Sequence, residues 1–285
     1  MSQHNQALYR NGARTRVTFG GKHGDALAYY KKLLEFIIQI VPPTESHVTL
    51  LDVGCGSAWS SYCFAEAGYE TTGVDLNFSA FEPPATARLR LVEASAMDLP
   101  FPHDFFDVVL CYQCLEHIPD PGAALREMAR VVKPNGVIAI VGPNLVSPFA
   151  AICIFLKEMI GGKLIFRRHE GTQHHPYGNT AAERVIKVFA VAALLLNKLL
   201  DSELGYNMRI PDSTPPFHGD NDACYLCNPI DIIKSFQRNG FKLLCKGRPG
   251  RAPFSYLLAG GTWVAARKPV FAQVPAQSAQ SLLPQ

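Results

Sequence analysis

At 285 residues, with 48% apolar and 18% charged side chains, the chain fits one large globular domain or one domain carrying a sizeable insertion. A net charge of +3 is too small for an electrostatic nucleic-acid footprint, so nucleic acid is not expected as a partner. No apolar run reaches the roughly 18 residues of a membrane span, and the polar N-terminus, MSQHNQALYRNGARTR, lacks the apolar core of a signal peptide, so a cytoplasmic location is expected.

Taken in chain order, Asp25–Val41 carries apolar residues at helical spacing and stops at Pro42-Pro43. His47–Val53 is a short apolar run that reads as a buried strand, and Ala58–Ala67 reads as a helix ended by Gly68. Tyr69–Asp75, Arg88–Glu93 and Phe105–Cys111 supply three further strands. Pro119-Asp120-Pro121 is the clearest helix start, with a carboxylate to cap and a proline at the first helical position. That helix is expected to run to about Val132, where Lys133-Pro134-Asn135-Gly136 stops it, and Val137–Val141 is a continuous apolar strand. Strands that alternate with helices and are apolar on both faces predict an α/β fold. The expected form is a Rossmann-like, doubly wound, mostly parallel seven-stranded sheet.

After Asn144 the pattern changes. Residues 145–228 hold two apolar helix candidates, Ser147–Ile160 and Ala181–Leu200, with Gly-, His- and Pro-rich stretches between and after them. The strand rhythm returns with a helix over Asp231–Gly240 and strands over Phe241–Lys246 and Thr262–Arg267. The organisation read from this is an N-terminal helical or lid segment (1–47), a core over 48–144 and 229–269, and a helical insertion (145–228) before the last two strands. The tail, 270–285, rich in Pro, Gln and Ser, is expected to be disordered. Two CxxC pairs, Cys111/Cys114 and Cys224/Cys227, have a spacing that could hold zinc. The apolar strand around Cys111 favours isolated thiols instead, and no metal is expected.

Residues 50–60, LLDVGCGSAWS, bring an apolar strand straight into two glycines one residue apart. Such a turn lets backbone approach a ligand closely. A dinucleotide fingerprint needs a small residue at the position that Trp59 fills, and no Gly-Lys-Ser/Thr follows to make a P-loop. Asp75 lies at a suitable distance downstream to bind a ribose diol in either a nicotinamide or an adenosyl cofactor.

An ordered set of segments goes further: Asp52-Val-Gly54-Cys-Gly56-Ser-Ala58; Asp75 closing the second strand; Ser95-Ala96-Met97-Asp98-Leu99-Pro100-Phe101; Phe106-Asp107-Val108-Val109; Leu115-Glu116-His117; and Leu125-Arg126-Glu127 through Lys133-Pro134-Asn135-Gly136. In these the chain resembles the class I S-adenosylmethionine-dependent methyltransferases, of the group that includes the small-molecule "type 11" enzymes. The resemblance covers Leu50–Val141 and departs from the family pattern at Ala58, which replaces a third glycine. Alanine adds only a methyl and is expected to tolerate a helical start there. The resemblance implies cofactor binding by Asp52, Gly54, Cys55, Gly56, Asp75, Leu76, Met97, Asp98, Cys111, Tyr112 and Gln113. Within that set Asp52 is expected to meet the methionyl ammonium and Asp75 both ribose hydroxyls. Asp98 is expected to accept the adenine amine, with the Met97 N–H on a ring nitrogen and the Cys111–Gln113 backbone near the methionyl amine. Asp107 reads as structural.

A sulfonium methyl is already electrophilic, so alignment and water exclusion do most of the work and no metal is obligatory. A hydroxyl acceptor also needs a base, and histidine suits neutral pH. His174 and His175 are the leading candidates, with His117, His169 and His218 as further ones in loops expected at the carboxyl edge of the sheet. Val188–Leu196 is apolar on every helical face, so it is buried either in an acceptor cap or against a lipid surface. The expected activity is methylation of a small-molecule or lipid-linked acceptor, O-methylation favoured, with peripheral membrane contact through 145–200 left open. A C-methylated quinone ring, a non-catalytic cofactor-binding subunit and a nicotinamide oxidoreductase are the competing readings. The N-terminal residues Lys22, Tyr29 and Tyr30 are expected to close over the cofactor.

Overall fold

A computed structural model describes residues 23–43, 47–78, 83–147, 152, 181–211, 222–247, 255–258 and 260–270. The expectations for His169, His174, His175, His218, Lys22 and the tail beyond Val270 lie outside the described residues, as does the helix over 147–160 apart from Ser147 and Ile152. The elements in chain order are α1 (His23–Ile40), β1 (Thr49–Val53), α2 (Trp59–Glu66), β2 (Glu70–Asp75), β3 (Leu89–Glu93), β4 (Phe106–Tyr112), α3 (Pro121–Val131), β5 (Val132–Pro143), α4 (Ala181–Leu200), α5 (Pro229–Arg238), β6 (Lys242–Lys246), α6 (Ser255–Leu258) and β7 (Gly261–Arg267). They form one seven-stranded sheet in the order β3-β2-β1-β4-β5-β7-β6. β1 to β5 are parallel to one another, and β7 runs antiparallel to both β5 and β6. This is the Rossmann-like, mostly parallel arrangement expected from the alternating pattern.

The apolar runs on both sides of the sheet explain why the central strands lack an in–out alternation of polarity. Leu50, Val108, Leu110, Val137, Ala139 and Ala265 face one layer, with Phe36 and Ile37 of α1 and Trp59 and Phe64 of α2. Leu51, Val53, Val109, Cys111, Ile138, Ile140, Val264 and Ala266 face the other, with Leu125 and Met128 of α3 and Ile232 and Phe236 of α5. Successive side chains of a strand point to opposite faces, so a sheet covered on both sides must be apolar at every position. Trp59, fully buried, fills the α1–α2 layer and stands edge-on to Tyr62 at 5.6 Å.

Helix α3 begins as the sequence predicts: Asp120 accepts the Ala123 N–H at 2.8 Å and Pro121 occupies the first turn. The expected stop at Lys133–Gly136 comes out differently, because these four residues are taken into a long β5 whose register against β4 shifts between Phe106 and Val108. Asn135, at φ 66, makes that bend. Asp107 is structural, as read. Burial opposes its ionisation, but hydrogen bonds from Lys133 and Thr49 outweigh that and hold its carboxyl below the usual range.

Between β5 and α5, α4 spans Ala181–Leu200, the range expected from its sequence. It is anchored through Leu195, packed with Val146 and Ile230, and through Lys198. The Lys198 ammonium sits 2.6 and 2.8 Å from the two oxygens of Asp231 and also donates to Gly205 O at 3.0 Å. Tyr225 Oη and Asn228 Nδ2 complete the Asp231 carboxylate at 2.8 Å each. The other side of α4 leaves Ile186, Phe189, Leu196 and Leu200 largely exposed. The part of Val188–Leu196 that is buried against protein is therefore one face, not every face. Among the described residues no helix is long and apolar enough to cross a membrane.

Candidate active site

The apolar strand β1 ends at Val53, and the chain turns at the carboxyl edge of the sheet. Gly54 lies at φ 71 and Gly56 at φ 60, in the left-handed region where a side chain is strained. The Gly54 and Cys55 N–H groups both donate to Val74 O, at 2.7 and 3.0 Å, which straps the turn to β2. A Cβ on Gly54 would stand 2.0 Å from Cys114 Sγ, whereas one on Gly56 would meet nothing within 4 Å. The first glycine thus permits close packing of two loops, and the second leaves space above the turn. Asp75, at the end of β2, accepts the Gly56 N–H at 2.8 Å and braces the turn from the neighbouring strand.

Around this turn a cleft is lined by Gly54, Cys55, Gly56, Asp75, Leu76 and Met97, and by Tyr112 and Gln113 on the loop after β4. Eight of the eleven expected cofactor residues therefore meet in one place. Ser57, Ser60, Ser95, Cys114, Ile118, Pro119 and the pocket-facing Tyr30 also line it. Of the residues the resemblance did not single out, Ser60 is the most informative. Its hydroxyl and that of Ser61 donate to Asp52 Oδ2 at 2.6 and 2.7 Å. Serines one turn into a helix that follows a buried aspartate were a legible signal for this.

Three expected residues are placed otherwise. Asp52 is buried beneath the turn rather than lining the cleft. Its Oδ1 is buried and accepts no hydrogen bond, and burial raises its carboxyl from 3.8 to about 6, against the lowering influence of Ser60 and Ser61. Cys111 points into the apolar layer behind β4, since strand alternation turns it away from Tyr112. Asp98 is exposed and outside the cleft lining. The Ser95–Asp98 bridge, with the Asp98 N–H on Ser95 O at 3.0 Å, makes a tight turn that aims Ala96 and Met97 inward and Asp98 outward. Ala58 also differs from expectation: it is not helical but left-handed, at φ 65 and ψ 14, capping α2 with no side-chain hydrogen bond.

Tyr30 of α1 and Tyr112 stand edge-on at 5.7 Å over the cleft, and burial pushes both phenols upward, so they stay neutral donors at physiological pH. His117 lines the same cleft on the short helical turn Leu115–His117. The two CxxC pairs are less isolated than their sequence separation suggests. A hydrogen bond that the Cys111 thiol donates to Cys114, together with burial, pushes that thiol up, and Cys227 lies close enough to add to this. Among the described residues no group of three or more His, Cys, Asp or Glu side chains is arranged to hold a metal ion.

A left-handed diglycine turn with open space above it, a carboxylate at the end of the next strand and an orphaned buried carboxylate oxygen beneath fit S-adenosylmethionine. Backbone can lie along the methionyl chain, and a ribose diol can reach Asp75. Comparison with known proteins agrees. The pattern of a methyltransferase domain matches residues 51–140. An uncharacterised methyltransferase of Mycobacterium tuberculosis is 33% identical over 203 residues, 66% of this chain and 79% of the relative. A ubiquinone biosynthesis O-methyltransferase of Stutzerimonas stutzeri is 36% identical over 110 residues, 33% of this chain and 46% of the relative. The fold matches a crystal structure assigned as an S-adenosylmethionine dependent methyltransferase from Listeria monocytogenes at TM-score 0.50 and 18% identity, over 87% of this chain and 99% of that one. The chain belongs to the class I S-adenosylmethionine-dependent methyltransferases, and S-adenosylmethionine is its cofactor.

Proposed function

We propose that this methyltransferase transfers the methyl group to a hydroxyl of a small or lipid-linked acceptor. S-adenosylmethionine, when bound, supplies an electrophilic methyl on a sulfonium. The chain's own residues do the remaining work. Gly54, Gly56 and Asp75 align the cofactor, the Asp52 carboxylate compensates the methionyl ammonium, and Tyr30 and Tyr112 exclude water from the reacting end.

The observation that carries the hydroxyl reading is His117. It is a buried imidazole lining the cofactor cleft, and a ring nitrogen there can take the proton that an attacking hydroxyl must lose. Two further points support a lipid-linked acceptor. Helix α4 exposes Ile186, Phe189, Leu196 and Leu200, a surface that suits an apolar tail or peripheral contact with a bilayer. A relative over part of the chain is named for ubiquinone biosynthesis O-methylation.

The test is transfer of a labelled methyl group from S-adenosylmethionine to cell extract split into lipid and aqueous fractions. Labelled methyl ether in the lipid fraction is expected. Label confined to the aqueous fraction removes the lipid assignment, a carbon-bound label removes the hydroxyl one, and binding without transfer to any fraction removes both.

A further inference from the structure

Beside the cleft three buried polar side chains meet that cofactor binding does not use: Glu116, His117 and Asp222, none more than 5% exposed. His117 Nδ1 lies 3.6 Å from Asp222 Oδ1, and His117 Nε2 lies 3.5 Å from Glu116 Oε1. Both Glu116 carboxylate oxygens are buried and accept no hydrogen bond. Withdrawing a carboxylate from water costs several kcal/mol unless a positive partner or donors compensate it. Among the described residues His117 is a basic side chain that both carboxylates face. The other titratable groups against the cluster, among the described residues, include the thiols Cys111, Cys114, Cys224 and Cys227 and the Tyr112 phenol; burial pushes Cys224 up to about 11, which keeps it neutral.

The two carboxylates reach the imidazole by different routes. Glu116 is the sequence neighbour of His117 on the turn after β4. Asp222 belongs to the strand-like return of the inserted segment, and that return is bolted to the same turn. The Cys224 and Tyr225 N–H groups both donate to Glu116 O, at 2.9 and 3.0 Å. The insertion therefore completes a group whose other two members belong to the cofactor-binding core.

We infer that Asp222 is the positioning residue of the acceptor-side base. It accepts the Nδ1–H of His117 and leaves Nε2, 3.5 Å from Glu116 Oε1, unprotonated to take the acceptor's proton. Glu116 stabilises the imidazolium once the proton arrives. This rests on the proposed O-methylation. As the oxygen–methyl bond forms and the carbon–sulfur bond breaks, the acceptor's hydroxyl proton passes to Nε2. The charge lost from sulfur appears on the imidazolium, and the proton then leaves to solvent. A carboxylate behind a histidine fixes its tautomer in this way in hydrolytic triads, and such contacts are commonly long before the reactants bind. The 3.5 and 3.6 Å separations belong to that open state.

The tautomer can be read without knowing the acceptor. In 15N-labelled protein with S-adenosylhomocysteine bound, at pH 8, long-range 1H–15N spectra should show His117 protonated at Nδ1 and bare at Nε2. In Asp222→Asn, the amide can donate to Nδ1 and Glu116 Oε1, 3.5 Å from Nε2, can accept from that nitrogen, so the proton should move to Nε2. S-adenosylhomocysteine affinity should stay within twofold. A wild-type ring protonated at Nε2, or on both nitrogens, overturns the inference, as does an unchanged tautomer in the variant. If the variant does not fold, the wild-type spectrum alone decides. With an acceptor that yields methyl ether, Asp222→Asn should lower kcat about a hundredfold with little change in KM. Unchanged kcat overturns the positioning role, whereas absence of transfer by the wild type sinks the O-methylation reading and leaves the tautomer to be judged by itself.

Discussion

The cofactor cleft, as one half, and the buried cluster beside it that the chain between β5 and α5 completes, as the other, differ in what they are made of. Around Gly54–Gly56 the functional surface is backbone: a left-handed turn strapped to Val74 O, with Asp75 bracing it from the next strand. Around Asp222–Asp231 the structure is a set of buried side-chain contacts, in which Lys198, Tyr225 and Asn228 converge on Asp231 and Asp222 reaches His117. Backbone geometry demands particular residue types at fixed spacing, while side-chain contacts can be made by residues brought from anywhere. One half is therefore written locally in the sequence and the other is written across more than a hundred residues.

If that contrast is right, the two halves should break separately. The largest effect belongs to Gly54→Ala. Its Cβ would stand 2.0 Å from Cys114 Sγ and 2.6 Å from Cys114 Cβ, at φ 71. Left-handed strain and overpacking together come to about 4 kcal/mol. Relieving that strain moves the turn off its binding geometry, so binding of S-adenosylhomocysteine, measured by calorimetry, should weaken by up to about a thousandfold, the limit reached if the whole cost must be met again on binding. Lys198→Met should do the reverse. It leaves the Asp231 carboxylate, 2% exposed, without its cation, at a stability cost of about 3 kcal/mol. Denaturant unfolding should register that loss while cofactor affinity stays within about twofold. A large affinity loss in the lysine variant would mean that the halves are one cooperative unit.

A smaller effect, graded by pH, separates the cofactor half from its surroundings. Burial raises the Asp52 carboxyl to about 6 from 3.8. Its contribution to the stability of the free protein is fully present below pH 3.8 and is lost as pH rises through about 6, because the unfolded chain ionises first. On the role proposed for Asp52, a cofactor ammonium near Oδ1 favours the ionised form. Affinity for S-adenosylhomocysteine should therefore be level above pH 6 and fall about tenfold per pH unit below it. Asp52→Asn should flatten that dependence. A profile that is level down to pH 5 in the unaltered protein would detach Asp52 from the ammonium.

Much of the fold was legible, since strands apolar on both faces and a capped α3 leave few alternatives. The glycine turn and Asp75 were legible for the reason given above. Asp98 was misplaced because sequence order fixes a turn but not which of its residues points inward. The Cys111 side chain faces the core because residues at the end of a strand alternate between cleft and core, and the expectation for its backbone is unaffected by that. Asp222 carried no local signal at all. Its neighbours Gly219-Asp220-Asn221 read as an ordinary polar loop, and only the hydrogen bonds from Cys224 and Tyr225 to Glu116 O bring it to His117.

The smallest effect tests the one place where the cofactor half departs from its own rule. Ala58 follows the diglycine turn in a left-handed conformation, φ 65 and ψ 14, fully buried, with its N–H on Cys55 O at 2.9 Å. A non-glycine residue costs roughly 1–2 kcal/mol there. Glycine would remove that strain but lose more chain entropy on folding, about 0.5–1 kcal/mol, and would delete one buried methyl. Ala58→Gly should therefore stabilise the protein by less than about 1 kcal/mol, leaving S-adenosylhomocysteine affinity unchanged, since Ala58 does not line the cleft. A clear destabilisation in denaturant unfolding would mean that the methyl's packing outweighs the backbone strain, and that alanine stands at this position as part of the core.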